Sequence, residues 1–508
     1  MNITRYARAL AGCTALVAFA ATAQAADLEV PQTGDAYWTG GREALKAVLE
    51  QQPNTNQAKN IVLLVADGFG LSTVTAARIL EGQLEGKPGE EHQLTLETLP
   101  YAGLIKTYNT NAQIPDSAGT STAMHSGVKT SVGVISVNAD VPRGDCEASK
   151  GAEITSILDM AETAGMSTGV ISTARVTHAT PAAAYGHSAD RNWEDDADLP
   201  EGADCPDIAR QLIEYDLGDG LEIAMGGGRR SFLPADAADP EDEGQTGERL
   251  DGRDLTAEWT ERYGNSGAFV WNQEGFAALD PANVDHVLGL FNRSHMQYEA
   301  DRARDAGGEP SLSEMTGFAI DVLSKNPEGF YLMVESGRVD HAHHETNAYR
   351  ALTDAIEFDK TVETVLEKVD LSETLVVVTA DHSHVFTISG YSDRGNPILG
   401  LSTQDGEVNL ANDGKPYTTL GYHNGPSAIA GERADLSDID VNDIDFVQQA
   451  LVPLDSETHS GEDIAVYAVG PYAHLFQNTQ EQSYIFHVMD FASKLSERSA
   501  SIEFAAAE

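Results

Sequence analysis

The chain has 508 residues, with 80 Asp+Glu against 32 Lys+Arg and a formal net charge of −48. Nucleic acids and anionic membrane surfaces are bound through clustered Lys and Arg, so a chain this acidic repels both. Its 41 % apolar content, with 46 Gly and 19 Pro, excludes wholesale disorder, and its length accommodates one large core or two to three smaller domains.

Residues 1–25 read as a secretory signal: Arg5 and Arg8 form a basic start, Ala9 to Ala21 is apolar, and Ala23-Gln24-Ala25 is a small-x-small cleavage site. The apolar stretch is too short to span a bilayer. Leu10-Ala11-Gly12-Cys13 has the look of a lipoprotein box, but the apolar run follows the cysteine instead of preceding it. Cleavage removes Cys13 and leaves Cys146 and Cys205. In an exported chain such a pair suits one disulfide, closing a loop of roughly sixty residues worth about 2 to 4 kcal/mol; two free buried thiols are the alternative. The mature protein is expected to be periplasmic or secreted, with no membrane partner.

Short β-branched runs then alternate with helical patterns: Ile61-Val62-Leu63-Leu64-Val65, Gly169-Val170-Ile171, Phe330-Tyr331-Leu332-Met333-Val334, Leu375-Val376-Val377-Val378 and Ile464 to Val469. Near-continuous apolar strands of this kind predict an α/β fold, a mostly parallel sheet covered by helices on both faces. Four of the runs lead into polar residues, Asp67, Thr173, Glu335 and Asp381. Ligands of open α/β sheets gather beyond the carboxyl ends of strands, so chemistry is expected there. Two stretches read as excursions from the sheet. One, 234–308, is acidic and turn-rich, with helical patches around Trp259 and Val287; the other, 388–453, is rich in Gly, Asn, Asp and Pro.

Asp67 precedes Gly68, either as a ligand-facing carboxylate or as a cap for the next helix. In Pro115-Asp116-Ser117-Ala118-Gly119-Thr120, Ser117 stands where a helix would start, as a cap or, beside cations, as an activated nucleophile. Thr177-His178-Ala179-Thr180-Pro181 follows a strand, and Arg191 in His187 to Trp193 offers a planar fork for two phosphoryl oxygens or an ordinary ion pair. Glu335-Ser-Gly-Arg-Val-Asp340-His341-Ala-His343-His344 carries the strongest signal. A helix beginning near Asp340 puts Asp340 and His344 on one face, the spacing at which two side chains grip one cation. Asp381-His382-Ser383-His384 follows a buried strand directly, and Thr458-His459-Ser460-Gly461-Glu462-Asp463 precedes the last one.

Taken in order, these motifs resemble those of the alkaline phosphatase family across most of the mature chain. The resemblance implies a helix-sandwiched sheet over 26–508, with 388–453 as a loop-built crown, a homodimer, and a disulfide between Cys146 and Cys205. It implies two zinc ions and one magnesium ion per chain: a first zinc on Asp340, His344 and His459; a second on Asp67, Asp381 and His382; and magnesium on Asp67, Glu335, Thr180 and, through water, His178. His178 and His341 match the histidine-bearing members of the family, and imidazole suits zinc or cobalt better than magnesium. Ser117 would attack phosphate monoesters to form a phosphoserine, with Arg191 holding two oxygens and an alkaline optimum. A phosphodiesterase or sulfatase of the same superfamily is the nearest rival; a non-catalytic, acidic, exported metal-binding protein is the other. The surplus acids read as an adaptation to concentrated salt, where self-repulsion is screened.

Overall fold

The computed structural model describes residues 30–506. The expected signal segment 1–25, with Cys13, lies outside them. The chain divides into two units, one ending at Gln52 and one running from Pro53. The first holds the helix Ala36–Glu50, whose N-cap Asp35 accepts hydrogen bonds from the Tyr37 and Trp38 amides.

In the second unit the strands are, in chain order, β1 Asn60–Ala66, β2 Tyr101–Lys106, β3 Ser167–Arg175, β4 Ile223–Gly227, β5 Gly267–Val270, β6 His286–Leu290, β7 Phe330–Ser336 and β8 Thr374–Ala380. Short strands follow: β9 Ser383–His384, β10 Phe386–Ile388, β11 Thr403–Gln404, β12 Glu407–Val408, β13 Leu420–Gly425, β14 Ala450–Pro453 and β15 His459–Ser460. β16 Ile464–Val469 and β17 Thr479–Glu481 complete the set. Ten strands form one sheet in the order β17-β2-β16-β8-β1-β7-β3-β4-β6-β5. It is parallel except at β16, which runs antiparallel to both β8 and β2. β1, β7 and β8 are buried along their whole length, as unbroken apolar strands must be when helices cover both faces. The α/β expectation therefore holds.

The stretch 234–308 corrects one expectation. Trp259 lies in a helix, Leu255–Tyr263, but Val287 lies in β6, and β5 and β6 extend the sheet instead of leaving it. A short apolar run such as Val287-Leu288-Gly289-Leu290 has no periodicity that separates helix from strand; pairing with β4 decides. The stretch 388–453 contributes β13 and β14 to a small sheet with β10, and a separate β11–β12 hairpin. Cys146 and Cys205 are joined in a disulfide with Cα atoms 5.9 Å apart. Cys146 belongs to a satellite cluster with Val134, Val137, Val141, Ala189 and Trp193, apart from the main core. Among the described residues no helix is long and apolar enough to cross a membrane.

Candidate metal centre and nucleophile

Sheet register places three carboxylates at one rim. Ala66 of β1 pairs with Ser336 of β7 and with Ala380 of β8, so Asp67 and Asp381 emerge side by side, and Glu335 sits one residue below. All three are fully buried. Asp67 caps no helix: the next one, Leu71–Leu84, is preceded by Gly70 with no side-chain cap. Asp381 Oδ1 accepts from the amides of Gly68, at 3.0 Å, and His382, at 2.7 Å. Thr180 Oγ1 donates to Asp67 Oδ2 at 3.5 Å.

The helix Ser117–Ser126 starts at the same rim. Its cap is Asp116, whose Oδ1 accepts from the Gly119 amide at 3.2 Å, which leaves the Ser117 hydroxyl unneeded for capping. Gly119 is required there, because a Cβ would lie 2.5 Å from Asn109 Nδ2. Ser117 Oγ stands 3.2 Å from His382 Nε2. Asp116 Oδ2 also accepts from the Gly133 amide at 2.9 Å and from Arg191 Nη1 at 3.1 Å, tying the arginine to the helix that bears the serine. Arg191 Nη2 lies 3.1 Å from His178 Nε2. Guanidinium only donates, so this ring nitrogen accepts and His178 carries its proton on Nδ1, which is buried without a partner.

Asp340, His344, His384 and His459 form one ligand-like group. The helix bearing the first two spans Arg338–His344, so it begins two residues before Asp340 and keeps the i,i+4 pair on one face. His384 and His459 are brought together because β9 pairs with β15, residue against residue. His344 Nδ1 donates to the Glu457 carbonyl at 2.6 Å, and His459 Nδ1 donates to the Pro115 carbonyl at 2.8 Å. Carbonyls only accept, so in the neutral rings both Nε2 atoms carry lone pairs, and these face each other at 3.2 Å. Two lone pairs so close repel unless a cation lies between them. Asp340 Oδ2 is 3.4 Å from His344 Nε2, and its Oδ1 is 3.3 Å from His459 Nε2.

Two further groups are Asp67 with Asp340 and His382, and Asp67 with His178 and Glu335. Asp381 is outside both, although its Oδ2 lies 3.2 Å from His382 Nε2. Asp67 Oδ1 and Glu335 Oε1 are buried without hydrogen-bond partners, and such orphan carboxylate oxygens fit divalent cations. Burial, then the neighbouring carboxylates Asp340, Asp381 and Glu335, push the Asp67 carboxyl well above its usual range. Burial likewise raises Asp381, and it lifts Glu335 to about 7 against the hydrogen bonds it receives. Burial also raises Asp340, but the imidazoles of His344 and His384 outweigh it and hold that carboxyl low.

All eleven expected site residues thus line one rim of the sheet. Sequence reasoning assigned no role to Asp116, His384 or Glu457. His384 Nε2 lies 2.7 Å from Asp340 Oδ1 and its Nδ1 lies 2.5 Å from Glu457 Oε2. Burial disfavours its charge, but these two carboxylates push the imidazole up to about 10. The only signal was position, in Asp381-His382-Ser383-His384 and two residues before His459.

A family model described as "Alkaline phosphatase" matches residues 58–495. The tissue-nonspecific alkaline phosphatase of Gallus gallus is 48 % identical over 470 residues, covering 90 % of this chain and 89 % of the relative. The alkaline phosphatase of Gadus morhua is 46 % identical over 457 residues, covering 88 % and 94 %. Among solved structures, the Thermus thermophilus alkaline phosphatase superposes with a TM-score of 0.63 at 23 % identity, over 94 % of this chain and 99 % of that one. On the motifs, the shared fold and the extent of these matches, the chain belongs to the alkaline phosphatase family.

Proposed function

We propose that the chain hydrolyses phosphate monoesters to alcohol and inorganic phosphate through a phosphoserine on Ser117. The observation that carries this reading is the convergence on Ser117: a hydroxyl relieved of capping duty at a helix N-terminus, 3.2 Å from His382, with Arg191 tethered alongside through Asp116. Ser117 Oγ forms a bond to phosphorus while the bond to the ester oxygen breaks. Water then cleaves the serine–phosphate bond and regenerates the hydroxyl. Arg191 holds two non-bridging oxygens in its fork, and the open N–H groups of the Ser117–Ser126 helix favour the same anion.

Asp340, His344 and His459 would hold one zinc, Asp67, Asp381 and His382 a second, and Asp67, Thr180 and Glu335 a magnesium. The Nδ1 proton assigned to His178 suits an approach to that third ion through water. Bound there, such cations supply Lewis acidity and offset charge on the entering and leaving oxygens. Ser117 must lose its proton to attack, and the ligand groups must be free of protons to hold cations, which supports an alkaline optimum. The reading also takes the protein to be exported, to form a homodimer with 388–453 as its crown, and to work in concentrated salt.

Ser117→Ala should abolish p-nitrophenyl phosphate turnover while zinc stays bound, and the parent should cleave this ester faster than bis(p-nitrophenyl) phosphate. Retained turnover in the variant removes Ser117 as nucleophile. Faster diester cleavage replaces the monoesterase by a phosphodiesterase.

A further inference from the structure

β13 belongs to the stretch 388–453, yet it touches a chain neighbour of a ligand on either side of the first ligand group, His343 beside His344 and Thr458 beside His459. On the helix side, the Tyr422 hydroxyl lies 2.8 Å from His343 Nδ1, and Thr73 Oγ1 lies 3.0 Å from Nε2 of the same ring. His343 is fully buried on the Arg338–His344 helix, between Asp340 and His344. Held at both nitrogens, its ring turns only by abandoning a buried hydrogen bond. On the loop side, Asn424 is paired twice with Thr458, the residue before His459: Nδ2 donates to Oγ1 at 2.9 Å, and Oδ1 accepts from the Thr458 amide at 3.0 Å. Tyr422 and Asn424 are two apart on one strand and so share a face. Gly425 ends the strand at φ +143°, where a Cβ would lie 2.4 Å from Thr346 Cγ2 and 3.2 Å from Glu457 Cβ. The strand end is therefore wedged between the segment after the helix and the segment before His459.

His344 and His459 come from distant parts of the chain, and without a cation their facing lone pairs drive them apart. The Glu457 backbone links the two sides, accepting from His344 Nδ1 at 2.6 Å and donating to the His344 carbonyl at 3.0 Å. β13 braces the residues on either side of that link. We infer that β13 is a strut that sets the separation of His344 and His459, with Tyr422 and Asn424 as positioning residues for the first cation. The stretch 388–453 thereby governs how tightly that cation is held and how well it is placed, although none of its own side chains ligates it. This rests on the assignment of Asp340, His344 and His459 as zinc ligands.

The test is the zinc dissociation constant, measured by competition with a chromophoric chelator on the full-length protein, beside the thermal midpoint of the metal-free form. Tyr422→Phe and Asn424→Ala each act through the chain neighbour of a ligand and should weaken zinc about tenfold, the lower end of what loss of a direct outer contact to a ligand costs. His423→Ala, an exposed side chain on the same strand, should leave the constant within about twofold of the parent. A strand that only packs would lower the metal-free midpoint and leave the zinc constants unchanged, which overturns the strut. If Tyr422→Phe fails to fold, Asn424→Ala alone decides. A parent that binds no zinc overturns the ligand assignment and the strut together; a parent that binds zinc no better than its two variants overturns the strut alone.

Discussion

Replacing Cys146 and Cys205 by serine tests whether the satellite cluster around Trp193 holds Arg191 in place. The crosslink spans a sequence separation of 59 residues. Opening a loop of that size returns about 4 kcal/mol of chain entropy to the unfolded state at 25 °C. The native cost falls on one segment. Arg191 is anchored through its amide to the Gly133 carbonyl at 2.9 Å, and Trp193, two residues on, packs with Cys146, Val134 and Val137. A charge-assisted bond from arginine to phosphate contributes about 1.5 to 3 kcal/mol, so a segment that releases Arg191 for much of the time forfeits a large part of it. Guanidinium unfolding should therefore show a loss approaching 4 kcal/mol, and p-nitrophenyl phosphate kinetics a fall in kcat/KM of about tenfold, mostly in KM. If stability falls and kcat/KM does not, Asp116 alone holds the arginine and the satellite cluster is uncoupled from the site. If stability is unchanged, the loop-entropy argument itself fails for this chain.

Two other outcomes follow from the charges. Glu162 is buried, and burial followed by Glu222 pushes its carboxyl up to about 9. The native state keeps a proton that the unfolded chain sheds near pH 4.3, so stability falls as pH rises from there toward 9. Glu162→Gln should flatten that fall and exceed the parent by about 2 kcal/mol or more at pH 9, with the advantage gone near pH 4; an unchanged pH slope in urea titrations would refute it. The net charge of −48 predicts that unfolding free energy and substrate affinity both rise from low to roughly molar salt. Flat or falling values across that range would leave the acid excess without this explanation.

The strand ends were legible because a buried parallel strand is written as an apolar run, and the residue that interrupts it is conspicuous: Asp67, Glu335 and Asp381 follow from that alone. The Asp340 and His344 pair was legible from helical spacing, and it survived a start two residues earlier than expected. Ser117 was ambiguous, because capping and nucleophilic serines occupy the same place in a local pattern. Only the fold showed Asp116 taking the capping role and reaching Arg191.

By itself the sequence determined the alternation of elements, the acids at the strand ends and the order of the motifs, all of which are local patterns of burial and spacing. Tertiary structure decided what those patterns leave open. Val287 became a sheet strand because β4 was there to pair with it. His384 met His459 because β9 pairs with β15, and Tyr422 met His343 because β13 packs against the Arg338–His344 helix. Such contacts join segments far apart in the chain, so no local periodicity encodes them; the packing of the whole core selects the partner.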